Sequence, residues 1–187
     1  MHIPLIEYLK SIPGFVGIRL EEELPYEVMR SAGELEIRHY SAFTLARTKC
    51  SGSYKSASEI CFKTLAEFIF GANTDKKVAE MTTPVFMDRT NDGWIMSFYL
   101  PESMTSLAPS YPGISVENMP GKTVAAYRFS GVFDEMSMEQ SKRKLLDILK
   151  AQNLKPESEV WWAQFDQPIS LPMTKRNEAL VKVQTLS

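Results

Sequence analysis

The chain is poor in the residues on which most active-site chemistry is built. Among 187 residues there are two cysteines, Cys50 and Cys61, and two histidines, His2 and His39. Two cysteines are too few for a disulfide scaffold, and a chain of this length builds a core without one. Reduced thiols in a cytosol are therefore the simpler expectation, with a periplasmic address left open. No apolar run approaches the ~18 residues of a membrane span. Met1-His2-Ile3-Pro4 lacks the basic start and apolar stretch of a signal peptide. A net charge of −2 gives no basic excess, which argues against nucleic acid as the main partner. The sequence also lacks a Gly-x-Ser-x-Gly elbow, a phosphate loop, His-Glu-x-x-His and Cys-x-x-Cys. A serine triad would have to use His2 or His39, and nothing around either suggests one.

What is present is an ordinary globular core composition, 44% hydrophobic and 11% aromatic, which excludes disorder. The first 25 residues read as an appendage packed on the domain. Ile3, Leu5, Ile6 and Leu9 form a short apolar face, Pro13-Gly14 stops it, and the acidic run Glu21-Glu22-Glu23 leads into Pro25. From Tyr26 short extended runs begin. Tyr26 to Arg30 and Leu35 to Tyr40 flank the turn signal Ser31-Ala32-Gly33, and Ala42 to Cys50 follows as a third strand.

A helical period comes next. Ala57, Ile60, Cys61, Thr64, Leu65, Phe68 and Ile69 fall on one stripe, and Gly71 suits a left-handed cap. Strands Met81 to Met87 and Trp94 to Leu100 then join across Asn91-Asp92-Gly93, where Asp-Gly favours positive φ. A loop with Pro109 and Pro112 lies at mid-chain.

After that loop the order restarts. A shift of about 79 residues sets Leu35 on Ile114, Thr44 on Thr123 and Ser51-Gly52 on Ser130-Gly131. The second helix spans Met138 to Gln152, with strands at Val160 to Phe165 and Ala179 to Val183. The expectation is an α+β fold: two strand–strand–helix–strand–strand units, about 26–106 and 107–187, forming an antiparallel, barrel-like sheet with two covering helices. A groove where the units meet is the natural ligand site.

Few residues stand out chemically. On a strand of period two, His39 shares a face with Leu35 and Ile37, while Glu36, Arg38 and Tyr40 take the other. His39 is either a candidate haem-iron ligand or a hydrogen-bonded histidine at a strand end. Phe62, Ala66 and Phe70 form a row beside the helix stripe, bordered by Glu59, Lys63 and Glu67. A small residue between two phenylalanines makes a slot for a flat aromatic ligand, unless the row merely widens the core. Met81, Met87, Met96 and Met119 read as core filler. Trp161-Trp162 put one indole on each sheet face, one in the core and one exposed or meeting a partner.

Five segments in order then carry a resemblance: Pro25-Tyr26-Glu27-Val28, Glu36-Ile37-Arg38-His39-Tyr40, Gly71-Ala72-Asn73, Met81-Thr82-Thr83-Pro84-Val85 and Lys175-Arg176-Asn177-Glu178. Together they resemble the SOUL haem-binding protein family, and Phe15-Val16-Gly17-Ile18-Arg19 resembles its bacterial members. The resemblance implies a duplicated barrel-like fold and non-enzymatic binding of haem or another tetrapyrrole in a hydrophobic groove, as carrier or buffer. It implies a site along the first helix over Phe62, Ala66 and Phe70, with Lys63 beside the propionates and His39 as the iron ligand of one branch. Basic positions of the family fall on Glu59 and Glu67 here, where carboxylates would repel propionates. Two other readings follow from those glutamates: a sensor module for planar organic cations, or a small hydrolase using one of them as general base.

Overall fold

The computed structural model describes residues 22–73, 75–79, 81–105, 111–166 and 175–184. The apolar face of Ile3 to Leu9, its Pro13-Gly14 stop, the Phe15-to-Arg19 match and Pro109 of the mid-chain loop lie outside these residues.

Among the described residues eleven strands and two α-helices follow in order. The first half holds β1 (Glu22–Glu23), β2 (Glu27–Ala32), β3 (Leu35–Tyr40), β4 (Phe43–Ser51), α1 (Tyr54–Ile69), β5 (Thr82–Thr83), β6 (Val85–Thr90) and β7 (Gly93–Leu100). A short 3₁₀ turn at Glu102–Met104 leads to β8 (Ile114–Met119), β9 (Lys122–Phe129), α2 (Glu135–Ala151), β10 (Trp161–Gln164) and β11 (Asn177–Lys182). The expected strand from Met81 to Met87 is divided at Pro84, which has no N–H for a ladder. β1 pairs in parallel with β5.

The other strands make one nine-stranded sheet in the order β2-β3-β9-β11-β10-β6-β7-β4-β8, antiparallel at every pairing and not closed. Two short links impose its shape. Only Ser41 and Ala42 separate β3 from β4, and only Pro120 and Gly121 separate β8 from β9. Each link joins strands near opposite ends of the order. Since a residue spans at most ~3.6 Å, the sheet curls until those ends approach, and the Tyr40 and Phe43 rings lie 6.1 Å apart.

Alternation along the strands then gives the curl two cores. The inner face carries Tyr40, Phe43, Leu45, Phe86 and Leu180. The outer face carries Leu35, Ile37, Met87, Met96 and Trp162, and the helices pack there, α1 over β4 and β7 and α2 over β9 and β11. Of the four methionines named from sequence, Met81, Met87 and Met96 are buried, and Met119 lines the inner face. Trp162 is buried and donates to Ser141 Oγ at 3.1 Å, while Trp161 packs on the inner face.

Both helices are capped locally. Ser53 caps α1 by accepting from Ser56 N, and Asp134 and Ser137 form a reciprocal capping box on α2. Gly71 follows α1 at φ +102°, as its cap role predicts.

Three expectations are corrected. The buried arc of α1 is rotated toward Phe62 and Ala66, which leaves Ile60 56% exposed although it falls on the predicted stripe. The thiols are not reduced: Cys50 on the outer face of β4 and Cys61 on the buried arc of α1 form a disulfide, with Cα atoms 5.9 Å apart. Gly93 does not serve through positive φ. It opens β7 opposite Ser51, and a Cβ there would lie 2.2 Å from the Cys50 carbonyl oxygen. Gly93→Ala should therefore lower the unfolding free energy by roughly 1–3 kcal/mol, the usual cost of overpacking, with urea denaturation as the measurement.

Candidate functional site

Three of the five resemblance segments converge on the inner face. Glu178 of β11 is fully buried and accepts two hydrogen bonds from Arg38 of β3, at 2.5 and 2.9 Å. It accepts a third from Arg176 Nε at 2.9 Å. Arg38 Nε also donates to Glu36 at 2.7 Å, and its guanidinium lies 4.2 Å from the Tyr26 ring centroid. Arg176 donates further to Glu23 at 3.0 Å and to the Tyr26 hydroxyl at 2.8 Å. Its guanidinium stacks on Phe165 at 3.6 Å. Burial alone disfavours the charge on Arg38 and Arg176, but Glu178 overrides it and both are held more firmly protonated than a free arginine.

Next to this cluster the inner face opens as a polar cleft of about 630 Å³, within the usual range of ligand pockets. Tyr26, Arg38, Arg128, Lys175 and Arg176 contribute a ring and positive charges, with Glu34, Glu36 and Glu178 as counter-charges. Phe129 borders the cleft, but its ring stacks on Phe133 in the outer core. Among the described residues Arg128 makes no side-chain ion pair. Sequence reasoning quoted Tyr26, Arg38, Arg176 and Glu178 as motif letters without giving them a role. The available signal was a carboxylate, Glu178, set inside an apolar strand, with an arginine in the same pattern on β3.

A second, smaller pocket of about 80 Å³ lies farther along the inner face. Its walls are apolar, including Tyr40, Phe43, Phe86, Met119 and Trp161, and it holds Arg47, Asp88 and Lys122. Arg47 bonds Glu117 at 2.8 Å and Asp88 at 3.4 Å. Burial raises the Asp88 pKa and lowers that of Lys122. Tyr40 lines this pocket, its ring 5.4 Å from that of Tyr26 at the larger cleft, and among the described residues its buried hydroxyl has no hydrogen-bond partner.

The residues expected from the helix pattern sit on the opposite side of the sheet. Phe62 and Ala66 belong to the outer core, 7% and 0% exposed, and Phe62 meets Phe98 edge-on at 5.4 Å. Phe70 is half-buried against the same core, and Lys63 faces solvent. The slot expected between the two phenylalanines is thus filled by the core that the rotated arc of α1 builds. Opening it would return Phe62 to water at about 1.5–3 kcal/mol. Glu67, one of the two departures, accepts from the Tyr111 hydroxyl at 2.6 Å. His39 is exposed at the end of β3 on the outer face, its Nδ1 3.5 Å from Thr123 Oγ1. The structure does not bring His39 to the inner-face cleft.

A family model described as SOUL heme-binding protein matches residues 21–182. The chain belongs to this SOUL family. Functionally curated proteins offer no match in sequence. Among solved structures, the SOUL chain is similar to the EcmrR C-terminal domain, with a TM-score of 0.59 at 9% identity, covering 86% of this chain and 99% of that one. It is also similar to EcmrR in a complex with DNA, with a TM-score of 0.63 at 10% identity, covering 81% of this chain and 57% of that one. A hydrolase from Listeria innocua aligns with a TM-score of 0.51 at 10% identity, over 83% of this chain and 94% of that one. Likenesses at these identities concern the SOUL fold alone.

Haem is the group the family implies. The cleft fits its carboxylates: the volume lies in the ligand range, the Tyr26 ring is present, and Arg128 and Lys175 add cations to the Arg38–Arg176 cluster. The α1 row, as packed, does not fit a ring. No helix among the described residues is long and apolar enough to cross a membrane.

The buried cluster carries a stability prediction. Glu178→Ala strands Arg38 and Arg176 without their shared carboxylate, and should cost about 3–5 kcal/mol in urea denaturation. A loss below about 1 kcal/mol would mean that the pair is solvated in solution.

Proposed function

We propose that the protein binds haem or another tetrapyrrole without transforming it, as a carrier or buffer, and that the ring lies in the inner-face cleft. The observation that supports this reading is the cleft itself, a ligand-sized opening lined by Arg38, Arg128 and Arg176 beside Tyr26. Arg128 and Arg176 hold propionates through charge-assisted hydrogen bonds, each worth about 1.5–3 kcal/mol. Tyr26 supplies apolar surface to the ring. Bound haem would supply the redox and ligand-binding chemistry of its iron; the protein's part is to bind, orient and shield it.

The strand order supports a duplicated architecture behind the cleft. Matching the halves element by element sets β3 on β8, β4 on β9, β6 on β10 and β7 on β11. The order β3-β9-β11-β10 then answers β8-β4-β7-β6 read from the other end of the sheet. Each half lends a strand to the other, β3 to β9 and β8 to β4.

Titration with ferric haem should give a saturable one-to-one Soret shift, and absorbance growing linearly past several equivalents would defeat the reading. Arg128→Ala should weaken binding about tenfold or more, the loss of one such hydrogen bond. His39→Ala should leave the spectrum unchanged, because His39 leaves the opposite face of the sheet. Loss of the shift in His39→Ala, with Phe62→Ala also altering affinity, would instead seat the ring along α1 over Phe62, Ala66 and Phe70, with Lys63 at the propionates and His39 on the iron.

A further inference from the structure

The small inner-face pocket holds a cation, Lys122, that makes no ion pair among the described residues. Lys122 opens β9, and its Nζ lies 4.5 Å from the Trp161 ring centroid and 5.3 Å from that of Phe43. Asp88, its neighbouring carboxylate, is already engaged by Arg47, which in turn bonds Glu117. An ammonium half withdrawn from water whose neighbouring carboxylate is shared with Arg47 is incompletely neutralised, and apolar walls beside it strengthen its attraction for an anion.

Size narrows the ligand. At about 80 Å³ the pocket has room for several waters, each needing about 10–15 Å³ of such volume. A cavity of about 150 Å³ is one that takes benzene, so an aromatic acid exceeds this one and an alkyl group of two or three carbons suits it. We propose that this pocket binds a short alkyl carboxylate, its chain against Phe43, Phe86 and Met119 and its anion on Lys122. Two sources share that chemistry: a free short-chain acid, or one carboxylate arm of a larger ligand whose body lies outside the pocket.

The site is tested with sodium propionate and the full chain, without haem, so the outcome stands apart from the tetrapyrrole reading. In an NMR titration, propionate should saturate in the millimolar range and shift the Trp161 indole N–H and the Phe43 and Lys122 amides together. Propionamide, equal in shape but uncharged, should bind at least about tenfold more weakly, as should propionate to Lys122→Met, which keeps the apolar stem. Equal binding of propionamide, unchanged binding to Lys122→Met, preference for methylammonium, or absence of saturation by propionate would each overturn the proposal. The propionamide comparison needs no variant and stands even if Lys122→Met fails to fold. Competition between propionate and ferric haem would identify a ligand arm as the source, and independent binding a free acid; both outcomes support the site.

Discussion

Everything on the inner face depends on two links of two residues each. Ser41-Ala42 and Pro120-Gly121 carry the chain between strands near opposite ends of the sheet order. A chain so short cannot cross a flat nine-stranded sheet, where neighbouring strands are ~4.8 Å apart, so the sheet must curl. Curling faces Tyr40 toward Phe43 and gives the antiparallel array a second side that α1 and α2 do not cover. The outer face carries α1 and α2, packed on its core. The inside of the curl carries the polar cleft.

The inner face is not lined with hydrocarbon alone. A fully buried carboxylate shared by two arginines costs several kcal/mol of desolvation per ion before it contributes anything. Here that cost is offset by bidentate geometry, by a second arginine on the same carboxylate, and by stacking on Tyr26 and Phe165. The arrangement ties β3 to β11 across β9 and fixes the guanidinium groups at the cleft's wall. Stability and recognition thus draw on the same side chains, and a substitution there affects both.

Much of this architecture was legible in sequence. Period two placed His39 opposite Arg38 and Tyr40, and period 3.6 located the first helix and the repeat the second, each to within a few residues. Trp161-Trp162 divided between the faces as alternation requires. Periodicity failed where a decision lay between two arcs of one helix. Phe62 and Ala66 read as a row beside the core, yet packing on Phe98 of β7 draws them into it and turns Ile60 outward. No local pattern encodes that rotation, because β7 sets it. The Cys50–Cys61 bond was obscured similarly, as each residue lies on its element's buried side but only the docking of α1 on β4 makes them neighbours. Gly93 read as a turn glycine because Asp-Gly so often is one, whereas its role is close backbone approach. The cleft itself stayed hidden because its charges come from strands far apart in the chain. Arg38 and Glu178 are 140 residues apart, and neither has a local partner that announces the other.

Ferric haem is paramagnetic, so its position can be read from the amide resonances it broadens when substoichiometric haem is added to labelled protein. The account predicts broadening centred on Tyr26, Arg38, Phe129 and Arg176, with α1 spared. Broadening centred on Phe62 and Ala66, with the inner face unaffected, would contradict it.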